Sequence, residues 1–141
     1  MIDKARVATI VADLEKHLAQ LAGLRKQAED TWSDERDFLA CSMALFAAFS
    51  RAFDLADEIS TGAKLGTAAT YRESVDILEG ARAIDKELAR EMRRIAFYRN
   101  LVAHEYYQIT QEKLAEMVWA AGHLPAFVSA CKKFIQRQGQ G

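Results

Sequence analysis

The chain has 141 residues, half of them hydrophobic and 28% charged, with a formal net charge of −1. That length suits one ordinary domain, 1–141, with a real core, and the composition excludes a disordered segment. The near-neutral charge argues against a dedicated duplex-DNA binder, which needs a strong positive field, and leaves room for a small basic patch.

The first twenty residues, MIDKARVATIVADLEKHLAQ, lack the apolar stretch of a signal peptide. No apolar run approaches the length of a membrane span, so a cytoplasmic protein without membrane contact is expected. Cys41 and Cys131 lie far apart among apolar residues. Two such residues read as buried thiols rather than a disulfide framework or a CxxC site.

Apolar residues recur at spacings of three and four along the chain, which predicts helices throughout. Val7, Ile10, Val11, Leu14, Leu18 and Leu21 form one stripe on a helix from Ile2 to about Arg25. Thr31 and Ser33, with Asp34 and Glu35, mark the start of a second helix. It carries Phe38, Leu39, Cys41, Met43, Leu45, Phe46, Phe49, Phe53, Leu55 and Ile59, apolar on more than one face, and belongs at the centre of a bundle. STGAKLGTAAT, residues 60–70, reads as the longest loop. Thr70 and Glu73 form a capping box for a short helix from Tyr71 to about Leu78, closed near Gly80. Asp85 caps the next helix, Lys86 to His104 or slightly beyond, with Leu88, Met92, Ile95 and Leu101 inward. Thr110 and Glu112 open the last stretch. There Leu114, Met117, Val118, Ala121, Leu124, Val128, Cys131 and Ile135 keep one phase across Pro125. A single kinked helix is expected, with Gly122 the place where it would break. The tail from about 137 to 141 reads as frayed. The pattern predicts an all-α protein, an antiparallel four-helix bundle with an additional short helix.

FYRNLVAHEYYQ, residues 97–108, crowds reactive side chains onto the end of one of these helices. Asn100 and His104 are four apart and share a face. Arg99 lies one position earlier, with a side chain long enough to lean towards them. A histidine moves protons near neutral pH, an arginine forks onto phosphate oxygens, and an asparagine amide fixes a ring or a hydroxyl. This set suits attack by a ribose 2′-OH on the neighbouring phosphate without a metal, chemistry restricted to RNA. The same residues also read as cations and a cap satisfying the last carbonyls of a helix. Between Arg82 and Arg99 six cations stand against three carboxylates. Arg90, Arg93 and Arg94 in that run read either as RNA-drawing charge or as a solvated helix face. His17, His104 and His123 do not share metal-site spacing, so no metal is expected.

RNLVAHEY, Arg99 to Tyr106, fits the pattern R, four residues, H, any residue, Y. It resembles the HEPN superfamily and, within it, the HepT toxins. ERDFLACSMALFAAFSRAFDLADEIS resembles the central helix of that family. TYRESVDILEGARAIDKELAREMRRIAFYRNLVAHEYYQIT resembles its segment of short helix, long helix and motif. The resemblance spans roughly residues 30 to 135.

The resemblance implies a HEPN-like C2 homodimer with both motifs lining an interfacial cleft. It implies a metal-independent endoribonuclease, the toxin of a type II toxin–antitoxin pair. The partner would be an MntA-type minimal nucleotidyltransferase antitoxin that moves AMP from ATP onto the motif tyrosine. The chain itself would need no cofactor, since the ATP belongs to the partner. Arg99 and His104 would be catalytic, Asn100 a supporting polar group and Tyr106 the AMPylation acceptor, with Tyr107 beside it as the other candidate. Other HEPN proteins resemble non-catalytic nucleotide- or substrate-binding adaptors of nucleotidyltransferases. Such relatives usually lack the Arg–polar–His motif.

Overall fold

The computed structural model describes residues 1–27 and 34–139, and every regular element in them is helical. They are α1 (Lys4–Gln27), α2 (Glu35–Gly62), α3 (Tyr71–Gly80), α4 (Lys86–His104), α5 (Gln111–Ala121) and α6 (Leu124–Gly139), with a 3-10 turn at Tyr106–Gln108 between α4 and α5.

Local chemistry sets most of the starts. Asp3 accepts from the Arg6 amide at the head of α1. Asp34 caps α2 by accepting from Arg36 and Asp37, while Thr31 and Ser33 lie outside the described residues. Thr70 accepts from Glu73 N–H at 3.1 Å, and the Glu73 carboxylate reaches back to Ala69 N–H at 2.8 Å. The capping box thus closes one residue further upstream than its usual form. Asp85 caps α4 through Leu88 N–H, and Thr110 caps α5 through Lys113 N–H.

The structure corrects four expectations. The loop after α2 is shorter than residues 60–70, because α2 runs to Gly62 and Ser60 is buried. Buried Ser60 anchors the last turn, and the Thr61 hydroxyl and Ala63 N–H donate to the Asp57 and Ile59 carbonyls, against weak local propensity. The last stretch is two helices, not one kinked helix. Gly122 and His123 make the turn, and their N–H groups donate to Trp119 and Ala120 carbonyls. Pro125 is the second residue of α6, where a missing N–H costs nothing. The apolar phase still carries across, so Leu114, Met117, Leu124, Phe127, Val128 and Cys131 share one core. The tail is helical as far as Gly139, and Arg137 donates to the Arg82 carbonyl. Finally, α2 and the α5–α6 stretch are long and apolar enough to cross a membrane, by length and composition only. Half of each such window is buried inside the bundle, as expected of helices covered on several sides.

Cross-helix contacts define the topology. Ile2 lies against Gly62, Arg6 pairs with Glu58, and Arg51 pairs with Asp13, so α1 and α2 are antiparallel. Phe38 meets Tyr106 while Arg99 meets Phe46, which sets α4 antiparallel to α2. Tyr98 reaches Glu116 and His123 reaches Glu91, which sets α5 and α6 antiparallel to α4. The short α3 lies against α2 and α4, pinned by Arg93 to Asp76 and Glu79.

Phe49, Phe53, Leu45, Leu55 and Ile59 of α2 are almost fully buried. Leu39 and Met43 of the same helix stay exposed. Phe49→Ala is expected to lower unfolding stability by about 3–5 kcal/mol, and Phe49→Leu by markedly less. Urea melts followed by circular dichroism check this.

Candidate functional site

Asp57 of α2, Ala68 to Tyr71 at the head of α3, and Arg99, Asn100 and His104 of α4 line one cleft of about 410 Å³. The three motif residues singled out from the sequence therefore open onto a common space. Asn100 and His104 are exposed, one turn apart, and Arg99 is half-buried beside them. Helix α4 ends at His104, so the imidazole sits where the helix gives way to the 3-10 turn.

The setting of Arg99 is specific. Its guanidinium carbon lies 4.9 Å from the ring centre of Phe46 and 4.8 Å from that of Tyr71. Tyr71 is itself backed by the buried Phe53 ring at 4.8 Å. Arg99 Nε is buried with no hydrogen-bond partner, and none of the ion pairs among the described residues includes Arg99. A buried N–H left unmade costs free energy. Rings hold the cation through cation–π attraction, and no carboxylate among the described residues pairs with its Nη donors.

Asp57 is the one carboxylate lining this cleft among the described residues. It enters no ion pair there. Its surroundings and the nearby charge of Asp54 push its carboxyl above the usual range. Sequence reading missed Asp57, Phe46 and Tyr71. Each looked like ordinary helix patterning, because nothing in linear separations of 53, 42 and 28 residues announces that Phe46, Asp57 and Tyr71 meet at Arg99.

The basic run divides around α4. Arg93 is held by Asp76 at 2.7 Å and Glu79 at 2.6 Å. Arg90 lines a separate groove of about 970 Å³ between α4 and α6, beside His123. Arg94 is exposed on the side of Tyr98 and Glu116. None of the three lines the Arg99 cleft.

Tyr106 and Tyr107 follow in the 3-10 turn, over a neighbouring hollow bounded by Glu35, Phe38 and Gln111. Tyr106 is 37% exposed with its ring edge-on to Phe38 at 6.4 Å, whereas Tyr107 is 79% exposed. Cys41 and Cys131 are buried, and burial pushes both thiols up to about 12, which keeps them unreactive. Among the described residues no group of three or more His, Cys, Asp or Glu side chains is placed to hold a metal.

An all-helical bundle with an Arg–Asn–His cleft at the end of its fourth helix defines the class of protein. The family described as ribonuclease HepT-like matches residues 10–134, and the chain belongs to that family. Among curated proteins none matches the sequence. Solved structures share the fold at low identity. A toxin–antitoxin with AMP-PNP has a TM-score of 0.81 at 14% identity, covering 89% of this chain and 96% of that one. A tri-AMPylated Shewanella oneidensis HEPN toxin in complex with MNT antitoxin has a TM-score of 0.82 at 16% identity, covering 90% and 96%. YutE of Bacillus subtilis, described as a cytosolic protein of unknown function, has a TM-score of 0.84 at 16% identity, covering 97% and 93%.

A raised carboxyl pKa means that ionising Asp57 opposes the folded state at neutral pH, and the penalty disappears once pH falls below the unfolded carboxylate value. The charged and titratable groups around it are Asp54 on its own helix, Arg99 and His104 across the cleft on α4, and the Tyr71 phenol on α3. Asp57→Asn is therefore expected to raise the melting temperature at about pH 7, with the gain fading as pH drops towards about 3. Thermal melts across that range check the sign.

Proposed function

We propose that this protein is a metal-independent endoribonuclease that acts as the toxin of a type II toxin–antitoxin pair in the cytoplasm. The observation that carries the reading is the cleft in which Arg99, Asn100 and His104 converge, with no carboxylate among the described residues paired to the guanidinium. Membership of the HepT-like family supports it. So does the likeness to toxins solved with their antitoxins.

In this reading the ribose 2′-oxygen attacks the adjacent phosphorus. The new P–O2′ bond forms and the P–O5′ bond breaks, leaving a 2′,3′-cyclic phosphate and a 5′-hydroxyl. His104 takes the 2′-OH proton, or delivers one to the departing 5′-oxygen. Arg99 donates to the phosphorane oxygens as their charge grows. Asn100 orients the imidazole or the ribose. Arg90 and Arg94, both exposed, are the remaining RNA-contacting cations of the basic run. Arg93 contributes less, because two carboxylates already hold it.

A C2 homodimer would place two motifs together and so supply both a base and an acid. Phe97 supports that arrangement. It is 61% exposed, one turn before Asn100 on the same face of α4. The antitoxin is an MntA-type nucleotidyltransferase that transfers AMP from ATP to the Tyr106 hydroxyl, with pyrophosphate leaving. The added phosphate and adenosine would crowd the motif and repel RNA.

Purified protein is expected to cut RNA in EDTA. His104→Ala should lose about 10²–10⁴-fold in rate, and Arg99→Ala about 10²–10³-fold. A wild-type protein of unmodified mass that leaves RNA intact would turn the reading to a non-catalytic adaptor of a nucleotidyltransferase. With the nucleotidyltransferase and ATP, intact mass should rise by AMP units in wild type and Tyr107→Phe, and Tyr106→Phe should abolish the protection from cleavage. Phe97→Glu is expected to yield a monomer by light scattering with greatly reduced cleavage. A monomer that cuts at the wild-type rate would remove the dimer from the mechanism.

A further inference from the structure

We infer that Phe46 and Tyr71 are positioning residues for Arg99: their rings hold the guanidinium away from Asp57, so that its Nη donors remain available to an RNA phosphate. The inference rests on the ribonuclease reading only for its catalytic consequence. The phosphate-binding consequence stands without it.

The geometry sets two kinds of arginine side by side. Arg93 and Arg99 are on the same helix, and both face α3 residues. Arg93 is saturated by Asp76 and Glu79. Arg99 has a carboxylate, Asp57, lining its cleft, and does not pair with it. Opposite charges lining one cleft attract, and Arg99 is held by other contacts. The two aromatic contacts, at 4.9 and 4.8 Å, are what the structure offers. They come from different elements, Phe46 on α2 and Tyr71 at the start of α3. Phe53, on α2 and two turns beyond Phe46, backs the Tyr71 ring. Thr70 caps α3 immediately before Tyr71 and so fixes where that ring begins.

A guanidinium paired with a carboxylate has its donors filled and its charge neutralised. One held by rings keeps both. Removing a ring should let Arg99 swing onto Asp57, and the loss should then depend on Asp57. That dependence separates positioning from a merely structural role when melts show Tyr71→Leu folded at the assay temperature, because stability added by Asp57→Asn then changes no binding.

The test uses the full chain and two probes: a single-stranded deoxy-oligonucleotide, which carries phosphates and cannot be cut through a 2′-OH, and the matching RNA. Binding of the first is read by fluorescence anisotropy, cleavage of the second in single turnover. Tyr71→Leu and Phe46→Leu are expected to weaken deoxy-oligonucleotide binding and slow cleavage, each by about tenfold. Tyr71→Phe should behave as wild type. Adding Asp57→Asn to Tyr71→Leu should restore most of the loss, by more than Asp57→Asn improves the wild type. Trifluorophenylalanine at position 71 keeps the shape of phenylalanine and drains the ring of electron density. It should weaken binding relative to Tyr71→Phe, which keeps the test decisive if the leucine variants unfold. Unchanged binding in folded Tyr71→Leu, or equal binding by the fluorinated and plain rings, would overturn the inference. So would a loss in Tyr71→Leu that Asp57→Asn leaves untouched. If the wild type binds the deoxy-oligonucleotide and never cuts RNA, the ribonuclease reading fails, and the binding arms alone decide this one.

Discussion

The burial of α2 is the constraint from which the other elements take their places. Its core residues are covered from several sides, by α1 along its length and by α3, α4, α5 and α6 in turn. A helix that must be enclosed in this way needs neighbours whose apolar stripes are complementary. The stripes of α1, α4 and the α5–α6 pair supply them. The same helix then serves the cleft. Phe46 meets Arg99, Phe53 backs Tyr71, and Asp57 lines the opening. Core and site are thus two faces of one element, and the rigidity of the first is lent to the second.

Charge at the end of α4 is arranged by contrast. Arg93 is given two carboxylates and contributes to holding α3 in place. Such partly exposed pairs stabilise modestly, yet they remove Arg93 from the available positive field. Arg99, less than two turns on, has aromatic rings in their place. An unpaired cation, a buried N–H without a partner and a carboxylate with a raised pKa all cost stability. They collect at one cleft. Features that oppose folding and cluster with exposed Asn100 and His104 are what a functional site looks like in physical terms.

The fold alone would not carry this conclusion. Bundles of this kind host different activities, and the structural likenesses stand at 14–16% identity. Family membership narrows the class, but the argument for chemistry rests on what the Arg99 cleft contains. The larger groove beside His123, about 970 Å³, holds cations and carboxylates in mixture, and its buried Glu91 Oε2 faces His123 Nε2 at 3.5 Å.

Much of the architecture was legible from spacing. Periodicity marked α1 to α4 and the helical character of the last stretch, and the caps at Asp34, Thr70, Asp85 and Thr110 set the starts of α2 to α5, because these signals are local and act over one turn. Arg99, Asn100 and His104 were legible for the same reason, since they share one helix end. Element ends were less so. Ser60 to Gly62 stayed helical because Ile59 and Ser60 are buried and the Ala63 N–H closes the last turn, and Gly122 broke a stretch whose apolar phase alone suggested continuity. The partners of Arg99 lay beyond any local pattern. Phe46, Asp57 and Tyr71 come from two other helices, and side chains so far apart in sequence meet only once the bundle has closed. The sequence by itself determined that the chain is helical and that Arg99, Asn100 and His104 gather at one helix end. The tertiary structure alone decided which arginine is neutralised and which is kept free, because that depends on what stands opposite each one in space.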